Sequence, residues 1–187
     1  MPGIGGGIMS QWSDYYKSRV GTSYAMYAEE RYQPMIDELL AGSGSFREEG
    51  CGIGTITKIL NMNRPGINVI AFDNDPAMLR LARRNLKRFG TLLYNNDITV
   101  GFDLPVETIF SHGVLEHFTD RDILKILIRQ RFLANKVVHY VPTDGYDNPS
   151  FGDERLMSIN WWLDTWSPTR YEVFNDRKDL MMVWERS

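Results

Sequence analysis

Short apolar runs alternating with helix-length stretches constrain this chain more than any other feature of it. Asn68 to Phe72 (NVIAF), Thr91 to Tyr94, Glu107 to Phe110 and Lys136 to Val141 (KVVHYV) are strand-length, and the clearest of them are rich in β-branched residues. Runs of that kind read as strands buried on both faces. Helices are predicted between them, from about Thr55 to Met62, from Pro76 to Phe89 and from Thr119 to about Ala134. Asp75 before Pro76 is a helix start, and Gly90 is a stop. Thr119 and Asp122 resemble a capping box with a shortened acid. A further helix is predicted around Glu154 to Trp166, then strands at Arg170 to Phe174 and Leu180 to Trp184. Those last two lie too close together for a helical crossover, so one runs antiparallel to its neighbour. The pattern predicts an α/β fold, doubly wound, with a mostly parallel seven-stranded sheet, an antiparallel edge strand and helices on both faces.

At 187 residues and 43% hydrophobic, the chain can bury the core of one domain. Its net charge of -3 gives no long-range attraction to nucleic acid or an anionic membrane, and argues against nucleic acid as a partner. The single cysteine, Cys51, excludes an internal disulfide and fits a reducing, cytoplasmic location. No apolar run has the length of a membrane span. Residues 1–10 are glycine-rich and read as a flexible leader, leaving residues 11–187 as one domain. Within it, residues 11–41 form an aromatic, mostly helical segment that Gly21 and Pro34 divide into pieces. Its tyrosines pack helix against helix or cover a site as a lid, with Tyr16 and Tyr27 as candidate contacts.

The stretch EEGCGIGT, Glu48 to Thr55, joins the first strand to the first crossover helix through Gly50, Gly52 and Gly54. A turn of this kind aims backbone N–H groups outward at a helix start and lets a ligand approach the main chain closely. A dinucleotide fingerprint needs a third glycine three positions after the second. Neither register of these glycines supplies one, which weakens a nicotinamide reading.

The order acid-x-Gly-x-Gly-x-Gly at Glu48 to Gly54 resembles the first motif of the class I S-adenosylmethionine-dependent methyltransferases. Other segments agree in order and spacing. Asp73 ends the second strand, Asp97 follows the third in NNDI, and SHGVLEHF (Ser111 to Phe118) follows the fourth. The two closing strands match the family's hairpin. The resemblance covers about Phe46 to Trp184 and implies a Rossmann-like fold with S-adenosylmethionine as cofactor. It implies that Asp73 accepts from the ribose hydroxyls, with Asn74 beside it, and that Asp97 and the Ile98 N–H meet the adenine. The amino-acid end of the cofactor suits the backbone around Gly50 and Gly52, with Cys51 and Gly54 in the same turn. Glu48 orients that turn or binds through water, with the Ser111 carbonyl facing the ammonium and Tyr16 the candidate ring over the sulfonium. One departure stands out. Ser45 and Arg47 occupy positions in the first strand where aliphatic residues are usual, so that strand is weak or short.

The activity so implied is in-line methyl transfer to a small polar acceptor. An oxygen acceptor needs a base, for which His112 and His117 are the candidates. Tyr27, Tyr140 and Asp144 are candidate acceptor contacts. The histidines lack metal-ligand spacing, so no metal is predicted. Arg80, Arg83, Arg84, Lys87 and Arg88 share a helix side and read as a solvated face. Competing readings are a catalytically silent cofactor-binding or regulatory protein of the same fold, and a nicotinamide oxidoreductase.

Overall fold

The computed structural model describes residue 12 and residues 14–149 and 153–186. The leader expected at residues 1–10 lies outside the described residues. Strands β1 (Ser45–Glu49), β2 (Asn68–Asp73), β3 (Leu92–Asn95), β4 (Val106–His112), β5 (Ala134–Pro142), β6 (Arg170–Phe174) and β7 (Asp179–Glu185) form one sheet. Helices are α1 (Thr22–Arg31), α2 (Gln33–Ala41), α3 (Thr55–Asn63), α4 (Pro76–Asn85), α5 (Asp120–Leu133) and α6 (Ile159–Trp166). The strand order is β3-β2-β1-β4-β5-β7-β6. Strands β1 to β5 pair in parallel, and β7 runs antiparallel to both β5 and β6. The reversed strand therefore sits one place in from the edge. The order switches direction between β1 and β4, which opens a crevice beyond their carboxyl ends.

Side chains alternate across the sheet with the period of two that strands impose. Phe46, Val69, Phe110, Val138, Met181 and Val183 face α1, α2 and α3, which contribute Ala25, Ala28, Met35, Ile36, Leu39, Ile56, Ile59 and Leu60. Ile109, Val137, Met182 and Trp184 face α5 and α6, packing on Ile123, Ile126, Leu127, Ile159 and Trp162. Both faces are covered, as the near-continuous apolar runs require.

Strand β1 is short, five residues, and central. Its Arg47 is fully buried and largely partnered, with Nε left without a hydrogen bond. It donates to the carbonyls of Phe102 at 2.7 Å and Leu104 at 2.8 Å and pairs with Glu49 at 2.9 Å. Burial lowers its pKa, and Glu49 opposes that effect. Tertiary partners from the loop after β3 thus admit a charge where local preference disfavours one.

Several boundaries differ from the sequence reading. Helix α4 stops at Asn85, not Phe89, and Leu86 turns inward to full burial. Helix α6 begins at Ile159 because Ser158 caps it, accepting from the Trp161 N–H at 3.1 Å. Arg155, expected within that helix, instead ties to the Phe118 carbonyl and Asp120. Thr119 does cap α5, but the shorter Asp122 accepts from the Thr119 hydroxyl at 2.8 Å instead of reaching the backbone. Asp75 caps α4 as expected, accepting from the Ala77 N–H at 2.7 Å. In the aromatic N-terminal segment Gly21 precedes α1, and Pro34 lies in the first turn of α2. Among the described residues no helix is long and apolar enough to cross a membrane.

Candidate active site

The turn between β1 and α3 is built by glycine. Gly50 and Gly54 take left-handed φ of 71° and 72°. A side chain at Gly50 would meet Val114 Cγ2 at 2.6 Å, and one at Gly54 would meet Leu86 Cδ1 at 2.6 Å. The turn can therefore be made here only without a Cβ. Cross-strand bonds hold it in place. The Cys51 N–H donates to the Phe72 carbonyl at 2.8 Å, and the Gly54 N–H to the Cys51 carbonyl at 2.7 Å.

Asp73, at the tip of β2, is the hub of this turn. Its Oδ2 accepts from the Gly52 N–H at 2.7 Å and its Oδ1 from the Asp75 N–H at 2.8 Å. Burial pushes its pKa up to about 6, while these two bonds pull the other way. Each carboxylate oxygen retains a lone pair, so two further donors can be accepted side by side. Glu48 lies beneath the turn, fully buried, and accepts from the Thr57 hydroxyl. Its pKa is pushed up to about 8 by burial, with the Asp73 charge adding to the shift. It is therefore mostly neutral near pH 7. Burial also raises the Cys51 thiol, so that sulfur is not a nucleophile.

A cavity of about 820 Å³ opens at the crevice. Of the residues singled out from sequence, Tyr16, Tyr27, Glu48, Gly50, Cys51, Gly52, Asp73, Asn74, His112, His117 and Tyr140 line it. Gly54, Asp97, Ile98, Ser111 and Asp144 stand outside that lining. Asp97 makes a local turn, its Oδ1 accepting from the Thr99 N–H and hydroxyl, both at 2.8 Å. Ser111 points its hydroxyl away from the cavity into the core, 2.6 Å from His139 Nδ1, and His139 Nε2 lies 2.8 Å from Gln130 Oε1. That chain continues from Gln130 to Glu49 at 2.7 Å, and burial holds His139 near pKa 3. Asp144 is exposed.

An aromatic wall closes one side. Trp12 stacks on Tyr16 with centroids 5.8 Å apart, and Tyr15 meets Tyr16 edge-on at 4.9 Å. Tyr24 continues the row. All four rings line the cavity, and Trp12, Tyr16 and Tyr24 also pack against Ile53, Met78 and Leu81. Arg80, Arg83 and Arg84 of α4, with Lys87 and Arg88 in the turn beyond its end, are exposed and outside the cavity lining.

The opposite end is polar and holds groups that sequence reasoning missed. His112 stacks on Tyr140 at 4.4 Å and receives the edge of Tyr32 at 4.1 Å. Burial lowers its pKa to about 4, so the ring is neutral near pH 7. Glu116 is buried, with its pKa pushed up to about 8 by burial. His117 Nδ1 lies 3.3 Å from Asp153 Oδ2. Asp179, at 0% exposure, accepts from Tyr140 and Tyr146 hydroxyls at 2.7 Å each, from Asn175 at 2.5 Å and from Arg31 at 3.3 Å. Glu116 sits inside SHGVLEHF and was in reach of sequence reading. Arg31 and Asp179 are 148 positions apart, and no local signal links them.

Comparison with known proteins agrees with this geometry. Residues 48–133 match a family model described as a methyltransferase domain. A trans-aconitate 2-methyltransferase from Methylobacterium nodulans is 31% identical over 98 residues, covering 50% of this chain and 37% of that protein. The chain thus spans little more than a third of that relative's length. The structure of DhpI in complex with SAH superposes at a TM-score of 0.69 and 18% identity, over 95% of this chain and 96% of that one. The magnesium protoporphyrin IX methyltransferase of Synechocystis, solved with bound SAM, superposes at 0.65 and 15% identity over 100% of both chains. Residues 48–133 thus resemble a methyltransferase domain in sequence, and almost the whole chain shares the fold of these methyltransferase structures.

Proposed function

We propose that this chain binds S-adenosylmethionine in the crevice and catalyses in-line transfer of its methyl group to a small polar acceptor. The observation that carries the reading is the pair of free lone pairs on Asp73, presented beside a turn of bare backbone and roofed by aromatic rings. They suit the two vicinal hydroxyls of a ribose. Asn74 lies at the same rim, and the adenine is assigned to Asp97, whose Oδ1 is used locally, and the Ile98 N–H, both outside the cavity lining. The main chain at Gly50, Cys51 and Gly52 takes the amino-acid end, and Glu48 and Gly54 fix the shape of that turn. The Ser111 carbonyl faces the ammonium.

The bound cofactor supplies a methyl group already activated by a cationic sulfur. The chain's own task is to align donor and acceptor and to keep water out, and such positioning supplies about 7–11 kcal/mol of barrier reduction. Tyr16 offers a ring face to the positive charge, worth about 0.5–2 kcal/mol. His112 and His117 are the side chains placed to take a proton, and Tyr27 and Tyr140 border the acceptor. A relative named for methylating trans-aconitate supports a small acceptor.

Isothermal calorimetry with S-adenosylhomocysteine tests the reading. One-to-one binding that weakens at least about tenfold in Asp73→Ala is expected. No binding to the wild-type protein would overturn the function, and unchanged binding in Asp73→Ala would overturn the ribose assignment.

A further inference from the structure

Arg31 occupies an unusual position. It is the last residue of α1, yet three partners lock its guanidinium at the cavity wall. Its Nε donates to the Tyr32 hydroxyl at 3.2 Å. Its Nη2 donates to the Tyr146 hydroxyl and to Asp179 Oδ2, the latter at 3.3 Å. Asn175 Nδ2 donates to the Arg31 carbonyl at 3.0 Å, so the backbone is pinned as well. The side chain is 29% exposed. Nη1 makes no hydrogen bond among the described residues and is not among the buried atoms lacking a partner, so it reaches open space. Arg31 thus lines the cavity as a fork with one prong anchored and the other left exposed.

The surroundings decide what that prong can hold. Tyr32 and Tyr146 contact the guanidinium, and Tyr27 lines the same cavity. The charge of Arg31 acts on His112 at the tip of β4, so the guanidinium is near the strand end where the cofactor's reacting end would lie. Asp179 is fully buried and its two oxygens already accept from four donors, leaving it no capacity to take a ligand's amine. Glu116, a buried acid of the cavity, is mostly neutral near pH 7. With Asp73 taken by the ribose, Asp75 capping α4 and Glu48 mostly neutral, the remaining acids of the cavity are Asp153 and Glu154 on the Glu116 side. A cationic amine at Arg31 would therefore meet a guanidinium whose own carboxylate partner is already saturated. A planar anion would meet donors held in advance, at little further cost in side-chain freedom.

We infer that the acceptor carries a carboxylate, and that Arg31 Nη1 recognises it and sets which small molecules enter. This rests on the methyltransferase reading above and deepens it. Arg31 acts here as a specificity residue that touches the acceptor. Tyr146 and Asp179 act through it, as positioning residues.

The probe is succinate, compared with its uncharged isostere succinamide, titrated into protein saturated with S-adenosylhomocysteine and followed by two-dimensional NMR. Succinate is expected to bind saturably, at least about tenfold more tightly than succinamide. In Arg31→Gln the ratio is expected to fall to near one while S-adenosylhomocysteine binds as in the wild type. Arg31→Lys keeps the charge but loses the fork, and an intermediate ratio is expected. It carries the test should the glutamine variant fail to fold. Equal binding of the two probes, no binding of succinate, or a preference that survives both substitutions would overturn the inference. Failure of the wild type to take S-adenosylhomocysteine would instead overturn the methyltransferase reading, so the two failures are distinguishable.

Discussion

The Gly52 N–H donates to the Asp73 carboxylate at 2.7 Å, so the acid proposed for the ribose also fixes the turn that would receive the rest of the cofactor. One side chain shapes both ends of the cradle. Because burial holds Asp73 near pKa 6, its protonation falls within an accessible range. If only the carboxylate form accepts both ribose hydroxyls, S-adenosylhomocysteine affinity is flat above pH 7. It then drops by up to about tenfold per unit below pH 6. Calorimetry across pH 5 to 8 checks this, with Asp73→Asn expected to be weak and pH-independent.

Glu48 and Glu116 carry the opposite consequence for stability. Each has a folded pKa near 8 against an ordinary value of 4.5, so the native state holds protons that the unfolded chain releases. Their contribution is fully present below pH 4.5 and is lost as pH rises through 8. The cofactor-free protein should therefore melt at lower temperature at pH 9 than at pH 6. Glu48→Gln keeps an acceptor for the Thr57 hydroxyl and removes the ionisation. Thermal melts of this variant should fall less steeply with pH than those of the wild type.

Gly50→Ala tests the turn. The new Cβ would lie 2.6 Å from Val114 Cγ2 and would hold φ at 71°. A left-handed conformation alone costs about 1–2 kcal/mol in a residue with a Cβ. Val114→Ala in the same chain should relieve the clash but not the backbone term. The double variant should thus recover only part of the lost stability and cofactor affinity in urea titrations and calorimetry.

Arg47→Ala should destabilise the fold by about 3–5 kcal/mol, because buried Glu49 loses its nearest cation, keeping Gln130 and the more distant Arg129, and the Leu104 carbonyl loses its donor. Equilibrium urea unfolding measures it. A change below about 1 kcal/mol would show that this buried network contributes little to stability.

How far the sequence carried this account depends on the range of each interaction. The glycine turn, the Asp75–Pro76 cap and the strand-to-helix rhythm are local, and each was legible from neighbouring residues. Arg47 reads as a defect until the carbonyls of Phe102 and Leu104, 55 and 57 positions on, are brought to it. The start of α6 was misplaced because Ser158 and Glu154 are comparable starts until Arg155 is committed to Phe118 and Asp120. Ser111 was chosen for its carbonyl, and nothing nearby in sequence foretold that its hydroxyl would join His139 in the core. The acceptor end was the least legible part. Arg31, Tyr146 and Asp179 come from three separate elements and meet only once the sheet is complete.

A crystal structure with S-adenosylhomocysteine addresses the central claim most directly. Both ribose hydroxyls should lie within about 3.2 Å of the two Asp73 oxygens, with the carboxylate tail of the ligand on the backbone near Gly50 and the sulfur toward Tyr16. A ligand seated elsewhere, or held in the crevice without contact to Asp73, would contradict the account.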